Sequence, residues 1–478
     1  MTGSPHVHHL IEQLRAARDP FEIMANARAL ARMGGEAGEA VEELLSIVRE
    51  VDSGRSAAAA YVLSEVGAET MRGRPDQQDA LAACLDHANA EVRQWTAVTV
   101  AQLGASALQT KDALIRLLDD SDEGVRIVAA HALGQVAPAE PQVWDALMQT
   151  MDDESPAVRS AAVRAMACAE GDAAPCVPVL VNALTDASEP VRACAAETLG
   201  RLGASVSEAG EALLARLSDS SADVRVAALR ALEQITGDLP DGRDAVIASL
   251  DDRDERVRAQ AISLTERWGL LDDAKTSLMW LLNDREPTVR FYALGALEQA
   301  MSRQAPPIRL SEFAALSGRL LDDSALVRER AGAVLSMLGQ RRDEIEALLR
   351  AQLALDDPTM RLTAVLSARH MPGYSEIMDA LRERLSDGDE RVAVEAAAVL
   401  AGRGHWDGEV QAVVGEGLLS KQEACRKAGL EALKQPGVDP GWAEGALQAA
   451  WRGLSPEQQR AAQTLRQGWM DGGAEGEA

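Results

Sequence analysis

Aromatic side chains are scarce in this 478-residue chain, which has three Phe, three Tyr and eight Trp, 3% in all. Strands are enriched in aromatic and β-branched residues, so this composition disfavours a sandwich or barrel and favours close-packed helices. Lysine is nearly absent, occurring only at Lys111, Lys275, Lys421, Lys427 and Lys434. Almost all positive charge is therefore arginine. The five cysteines, Cys84, Cys168, Cys176, Cys194 and Cys425, are scattered and never spaced as CxxC. That pattern offers neither a disulfide framework nor a zinc ribbon, and points to reduced thiols in a cytoplasmic setting. The opening MTGSPHVHHLIEQLR lacks a basic stretch followed by an apolar one, so no signal peptide is expected. No charge-free apolar run reaches the length of a membrane span. P-loop, GxSxG and strand-associated GxGxxG motifs are missing as well.

What is present is an apolar fraction of 47%, ample for a core, and a large acidic excess. Asp and Glu number 75 against 48 Lys and Arg, for a formal charge of −27. A field of that sign repels phosphate backbones and anionic headgroups, so neither nucleic acid nor a membrane surface is expected as partner.

The dominant feature is a period of 33 residues. Val-Arg recurs at Val92-Arg93, Val125-Arg126, Val158-Arg159, Val191-Arg192, Val224-Arg225 and Val257-Arg258, always 33 apart. It continues at Val289-Arg290, Val327-Arg328 and Met360-Arg361 after steps of 32, 38 and 33. Weaker copies extend the frame to both ends, giving about 14 units. Each unit reads as two helices. In residues 111–136, KDALIRLL forms a short first helix, DDSDEG a turn rich in capping residues, and VRIVAAHALGQV a second helix. Counting from the Arg, small or apolar residues recur at +3, +4 and +7 (Ala129, Ala130, Leu133; Ala195, Ala196, Leu199), the period of a buried helical face. Gly134, Gly200 and Gly203 fall near the ends of second helices, where glycine commonly stops a helix. A single hairpin cannot bury its apolar face, but stacked neighbours form one continuous core.

The pattern Leu-Asp-Asp … Val-Arg-x-x-Ala-Ala-x-x-Leu-Gly, running from Leu118 to Gly134, resembles the short bacterial HEAT-like repeat, also found in phycobilisome lyases. The resemblance spans essentially the whole chain. It implies an all-α, right-handed α-solenoid of about 14 hairpins of about 33 residues. The solenoid is expected over residues 1–470 as one domain, with loop insertions near 67–80 and 301–313, and a disordered tail at 471–478.

The repeated acids Asp86, Asp119, Asp152, Asp186, Asp219, Asp251 and Asp284 precede each Arg by about six or seven positions. They are read as a structural Asp–Arg ladder, in which each Arg bonds the inter-helix turn of its own or the adjoining unit. In the family the second helix lines the concave side. Positions +2, +5 and +9 then form a stripe away from the core. It carries Trp95, Gln102, His131, Gln135, Arg164, Arg201, Arg230, Gln234, Arg267 and Tyr292 as candidate partner-binding residues. Arg164, Arg201, Arg230 and Arg267 would make a locally basic groove suited to an acidic peptide or helix, because guanidinium binds carboxylate in bidentate fashion. The competing reading is a solvated face whose arginines pair with nearby Glu. Trp95, Phe291 and Tyr292 read either as anchors or as packing between units. Trp406, Trp442, Trp451 and Trp469 read as end-cap packing.

The expectation is a non-enzymatic protein-binding scaffold or adaptor, with no cofactor and no metal. A bilin-handling role like that of the lyases is the alternative, with the groove arginines on propionates and His131 or Cys168 near the chromophore. A HEAT-like DNA glycosylase is a further alternative, opposed by the acidity. HEAT-like metal hydroxylases carry paired His-Glu motifs, and no His-Glu dipeptide occurs here.

Overall fold

The computed structural model describes residues 5–50, 53–138, 140–168, 174–203, 207–235, 242–303, 308–338, 341–371, 375–435 and 437–474. Among these residues all regular structure is helical. They group into two compact units, 1–249 and 250–478. The first unit holds seven helical hairpins, from Pro5–Ala16 with Pro20–Arg32 through Ser207–Arg216 with Ala222–Gln234, and then the helix Arg243–Ala248. The second opens with Glu255–Arg267 and holds six more hairpins, ending with Pro440–Ala450 and Pro456–Ala474. The arrangement is an α-solenoid, as the repeat dictated. The expected insertion at 67–80 contains the end of Ser53–Met71 and the start of Pro75–Ala82. Residues 304–307 of the other insertion, and 475–478 of the tail, lie outside the described residues.

Local chemistry sets the hairpin boundaries. Second helices begin where a side chain caps them: Asn89 accepts from Glu91 N at 2.9 Å, Asp122 from Val125 N at 3.0 Å, and Asp389 from Arg391 N at 3.0 Å. Proline occupies the first turn of Pro156–Met166, Pro358–Arg369 and Pro440–Ala450, where its missing N–H costs nothing. The +3, +4 and +7 side chains Ala129, Ala130, Leu133, Ala195, Ala196 and Leu199 are fully buried. Gly203 does end its helix, in the left-handed region at φ +58°. Gly134 and Gly200 do something different. Each sits within its helix, against Ala165 and Ala231 of the following second helix, where a Cβ would stand 3.0 and 2.8 Å from the alanine Cα. They set the close approach of successive second helices.

The Asp–Arg ladder is built with a fixed geometry. Each arginine uses Nη1 to bind a carbonyl six residues earlier in its own turn: Arg126 to Asp120 O at 2.9 Å, Arg159 to Asp153 O at 2.8 Å, and Arg290 to Asp284 O at 2.9 Å. Nε and Nη2 then reach forward as a fork to the aspartate of the next hairpin. In the first unit the forks join Arg93 to Asp120, Arg126 to Asp153, Arg159 to Asp186 and Arg192 to Asp219. In the second they join Arg258 to Asp284, Arg290 to Asp322 and Arg361 to Asp387. Both the own-turn and next-turn contacts expected from sequence are thus made. The acceptor is the residue six before the next Arg, so Asp120 and Asp153 take the place expected for Asp119 and Asp152, while Asp86 meets only the exposed Arg116.

Candidate second-helix surface

In the first unit, consecutive second helices from Ser53–Met71 to Ala222–Gln234 pack side by side. Their +3, +4 and +7 side chains are consumed by that packing, which leaves +5 and +9 facing out. Gln102, His131, Gln135, Arg164, Arg201, Arg230 and Gln234 are all exposed, with Glu197 between Arg164 and Arg230 in the +5 row. The +2 row is mostly withdrawn: Ala161, Cys194 and Ala227 are buried.

Trp95 belongs with the +2 row. It is half-buried, and its ring meets Tyr61 of the preceding second helix edge to face, with centroids 5.2 Å apart and planes at 70°. The sequence left its role open between anchor and packing, and the structure adds this contact with Tyr61. Among the other candidates, the Gln102 carbonyl accepts from Arg72 Nη2 at 3.3 Å. Gln135 Nε2 donates to Cys168 Sγ at 3.4 Å, and Arg164 Nε donates to Cys194 Sγ at 3.2 Å. The first runs to the turn that follows the second helix Pro156–Met166, and the second runs from that helix to the next second helix.

In the second unit, Arg267 is exposed at the end of Glu255–Arg267. Tyr292 is 48% exposed and lies edge to face with Phe291 at 5.8 Å. Phe291 is half-buried beneath the Arg330 guanidinium, 5.7 Å from its centroid, and Arg330 also pairs with Glu298 at 2.7 Å. Tyr292 therefore offers an aromatic surface on a supported base. Of the C-terminal tryptophans, Trp406 and Trp442 pack edge to face at 5.5 Å and Trp451 stacks under Arg466 at 4.8 Å.

Six of the rung carboxylates are held below their ordinary pKa. The Arg159 hydrogen bonds keep the Asp186 carboxyl below its ordinary pKa of 3.8 against an opposing desolvation. Burial works to raise Asp120, Asp153, Asp219, Asp322 and Asp387, but the arginine forks and the N–H two residues on outweigh it and lower them too. A carboxyl whose native pKa lies below its unfolded value adds stability that is complete above the unfolded value. That stability drains away as pH falls through the native one. Thermal midpoints should therefore show no ladder-dependent change from about pH 7 to 5 and drop below about pH 4. Scanning calorimetry at several pH values checks this, and an unchanged midpoint at about pH 3 would remove the ladder from the stability account.

Among the described residues no group of three or more His, Cys, Asp or Glu is placed to hold a metal ion. No described helix is long and apolar enough to cross a membrane. All five cysteines are unpaired, with Cys84, Cys176, Cys194 and Cys425 buried. Burial raises the thiol pKa of Cys84, Cys176 and Cys425, which makes them poor nucleophiles.

The family model for HEAT repeats matches residues 78–167, 144–233, 174–266 and 210–298. No curated protein matches the chain. Among solved structures, Kap121p bound to Ste12p aligns with a TM-score of 0.52 at 14% identity, covering 89% of this chain and 52% of that one. Kap95p, from a structure on its binding to RanGDP, aligns with a TM-score of 0.50 at 12% identity, covering 97% of this chain and 66% of that one. The chain thus spans about half to two thirds of the length of these proteins. At such identities the likeness is one of fold.

Proposed function

Because the chain is a HEAT-like repeat protein, we propose that it acts as a non-enzymatic scaffold that recognises a partner protein along the face of its second helices. The observation that carries this is the division of labour on the second helices of the first unit: +3, +4 and +7 are spent on the core, while His131, Arg164, Glu197 and Arg230 at +5 and Gln102, Gln135, Arg201 and Gln234 at +9 are exposed and polar. The ladder fixes one hairpin against the next, so the row is presented on a stiff support. Preorganised surfaces lose less entropy on binding. Kap121p and Kap95p, which share the fold, are described with bound proteins, in keeping with this use of a solenoid.

The partner proposed for the first unit is an acidic peptide or helix held by Arg164, Arg201 and Arg230, with Arg267 and Tyr292 offering the corresponding contacts in the second. Guanidinium forks suit carboxylates, and the same chemistry is used internally at seven rungs among the described residues. A reducing cytoplasmic setting fits the unpaired thiols.

The test is a charge reversal at exposed positions. Arg201→Glu combined with Arg230→Glu should leave the thermal midpoint close to wild type, since exposed substitutions usually shift stability by about 0.5 kcal/mol or less. It should reduce recovery of the co-purifying partner from native extract by about tenfold or more. Undiminished recovery would move recognition off the second-helix face.

A further inference from the structure

Among the described residues, the ladder arginine Arg328 has a fork that no carboxylate closes. In the closed rungs the residue six positions before the next Arg position supplies the acceptor for the preceding fork. Asp fills this slot at 120, 153, 186, 219, 252, 284, 322 and 387. At 355 it is filled by Leu. Backbone geometry shows that Leu355 does occupy the slot, because its carbonyl accepts Arg361 Nη1 at 3.0 Å, as the carbonyls of Asp120 and Asp153 do for their own arginines.

The consequence falls on Arg328. Its Nη1 is anchored as elsewhere, to Asp322 O at 2.7 Å and Asp323 O at 3.0 Å. Its fork, which in the equivalent arginines grips a carboxylate at 2.6–3.1 Å, has no carboxylate partner among the described residues. Arg328 is exposed, whereas the arginines of the seven closed forks are half-buried or buried.

The surroundings are open too. The helix Pro358–Arg369 leans on Leu310–Gly318 of the preceding hairpin rather than on the second helix Ala325–Leu338. A cavity of about 750 Å³ lies beside this joint, walled by Arg290 and the Asp322–Asp323 turn, by Ala314 and Ala315, and by Thr359 and Met360, while Leu326, Arg328 and Leu355 stand outside it. Leu326 and Leu355, 64% and 37% exposed, add apolar surface at the same turns.

We propose that this joint is a receptor for a carboxylate-bearing peptide, whose acidic side chain completes the Arg328 fork while its aliphatic neighbour covers Leu326 and Leu355. The occupant is specified by charge complementarity and by the chain itself: seven closed forks show that this anchored guanidinium is shaped for one carboxylate in bidentate contact. The site is distinct from the second-helix face and stands whether or not that face binds a partner.

The probe is a fluorescein-labelled peptide with the sequence of residues 117–124, Leu-Leu-Asp-Asp-Ser-Asp-Glu-Gly, which carries a native rung acceptor. Its control carries Asn in place of Asp120 and keeps the other acids. Anisotropy should show saturable binding to the full chain below about 1 mM. Replacing Arg328 by Gln, replacing Leu355 by Asp, or using the Asn peptide should each weaken binding by about tenfold or more. Leu355→Asp should also raise the thermal midpoint by about 2–4 °C as the internal carboxylate closes the fork. The Arg201→Glu, Arg230→Glu variant should bind as wild type does. Absence of saturable binding, or binding undiminished in Leu355→Asp, overturns the proposal even if Arg328→Gln fails to fold.

Discussion

Replacing Asp322 with alanine should destabilise the second unit by about 3 kcal/mol, the lower end of the cost of breaking a buried ion pair, because Arg290 keeps Asp323 as a second partner. The pair is well enclosed, with side chains 7% exposed for Arg290 and 2% for Asp322. The carboxylate accepts from Arg290 Nε at 2.8 Å, from Arg290 Nη2 at 2.6 Å and from Ser324 N at 3.0 Å. Arg319 Nη1 approaches it at 3.4 Å. Alanine would leave Arg290 Nε and Ser324 N without their acceptor, while Arg290 Nη2 keeps its second partner, Asp323. At about 2–4 °C per kcal/mol for a unit of this size, the midpoint should fall by about 10 °C. Asp322→Asn, which keeps one acceptor but loses the charge, should land between the two. The comparison that isolates burial is Asp86, which pairs with Arg116 at 3.2 Å with side chains 65% and 60% exposed. Surface pairs contribute little, so Asp86→Ala should be hard to distinguish from wild type. If calorimetry finds equal losses for Asp322→Ala and Asp86→Ala, the ladder is ornament rather than support.

The same rung explains how far the sequence could be read. The period of Val-Arg fixes hairpin length and the +3, +4, +7 core directly, because both follow from local periodicity and from the need of each apolar face for a neighbour. Which acid pairs with which arginine is not local. The fork spans 27 residues to the next turn for Arg126 and 32 for Arg290, and two consecutive aspartates such as Asp119 and Asp120 are equivalent in composition. Only the direction each side chain takes from the turn separates them. Leu355 is visible in the alignment of repeats as a departure from Asp between Asp322 and Asp387, yet it carries meaning only once the fork is known to reach forward. Trp95 and Tyr292 occupy the same +2 position. One is covered by Tyr61, the other stays open on its Phe291 base, and no pattern within a single repeat distinguishes them. On the outer row, His131, Arg201 and Gln234 are exposed as periodicity requires, since +5 and +9 are what remains after the core is filled.

Substituting Gly200 by valine should cost the first unit about 3 kcal/mol, at the upper end of the overpacking range. A Cβ there would lie 2.8 Å from Ala231 Cα and 3.1 Å from its Cβ, contacts that side-chain rotation cannot relieve because the obstacle is backbone. The two second helices must separate, and separation strains the Arg192–Asp219 fork that joins the same two hairpins. Gly200→Ala should be milder than valine, because alanine recovers about 1 kcal/mol of helix propensity while meeting the same clash. Gly445 supplies the contrast: it lies within the helix Pro440–Ala450 with nothing inside 4 Å of its would-be Cβ, so Gly445→Ala should stabilise by about 0.5–1 kcal/mol. The decisive combination is Gly200→Ala with Ala231→Gly. Moving the methyl from one helix to the other restores the space, so the double variant should lose less than the sum of the single changes. Denaturant midpoints of the four proteins measure that coupling. Simple additivity would mean that the helices are held apart by something other than this contact, and that the small residue recurring at Gly134 and Gly200 does not set the spacing of the second helices.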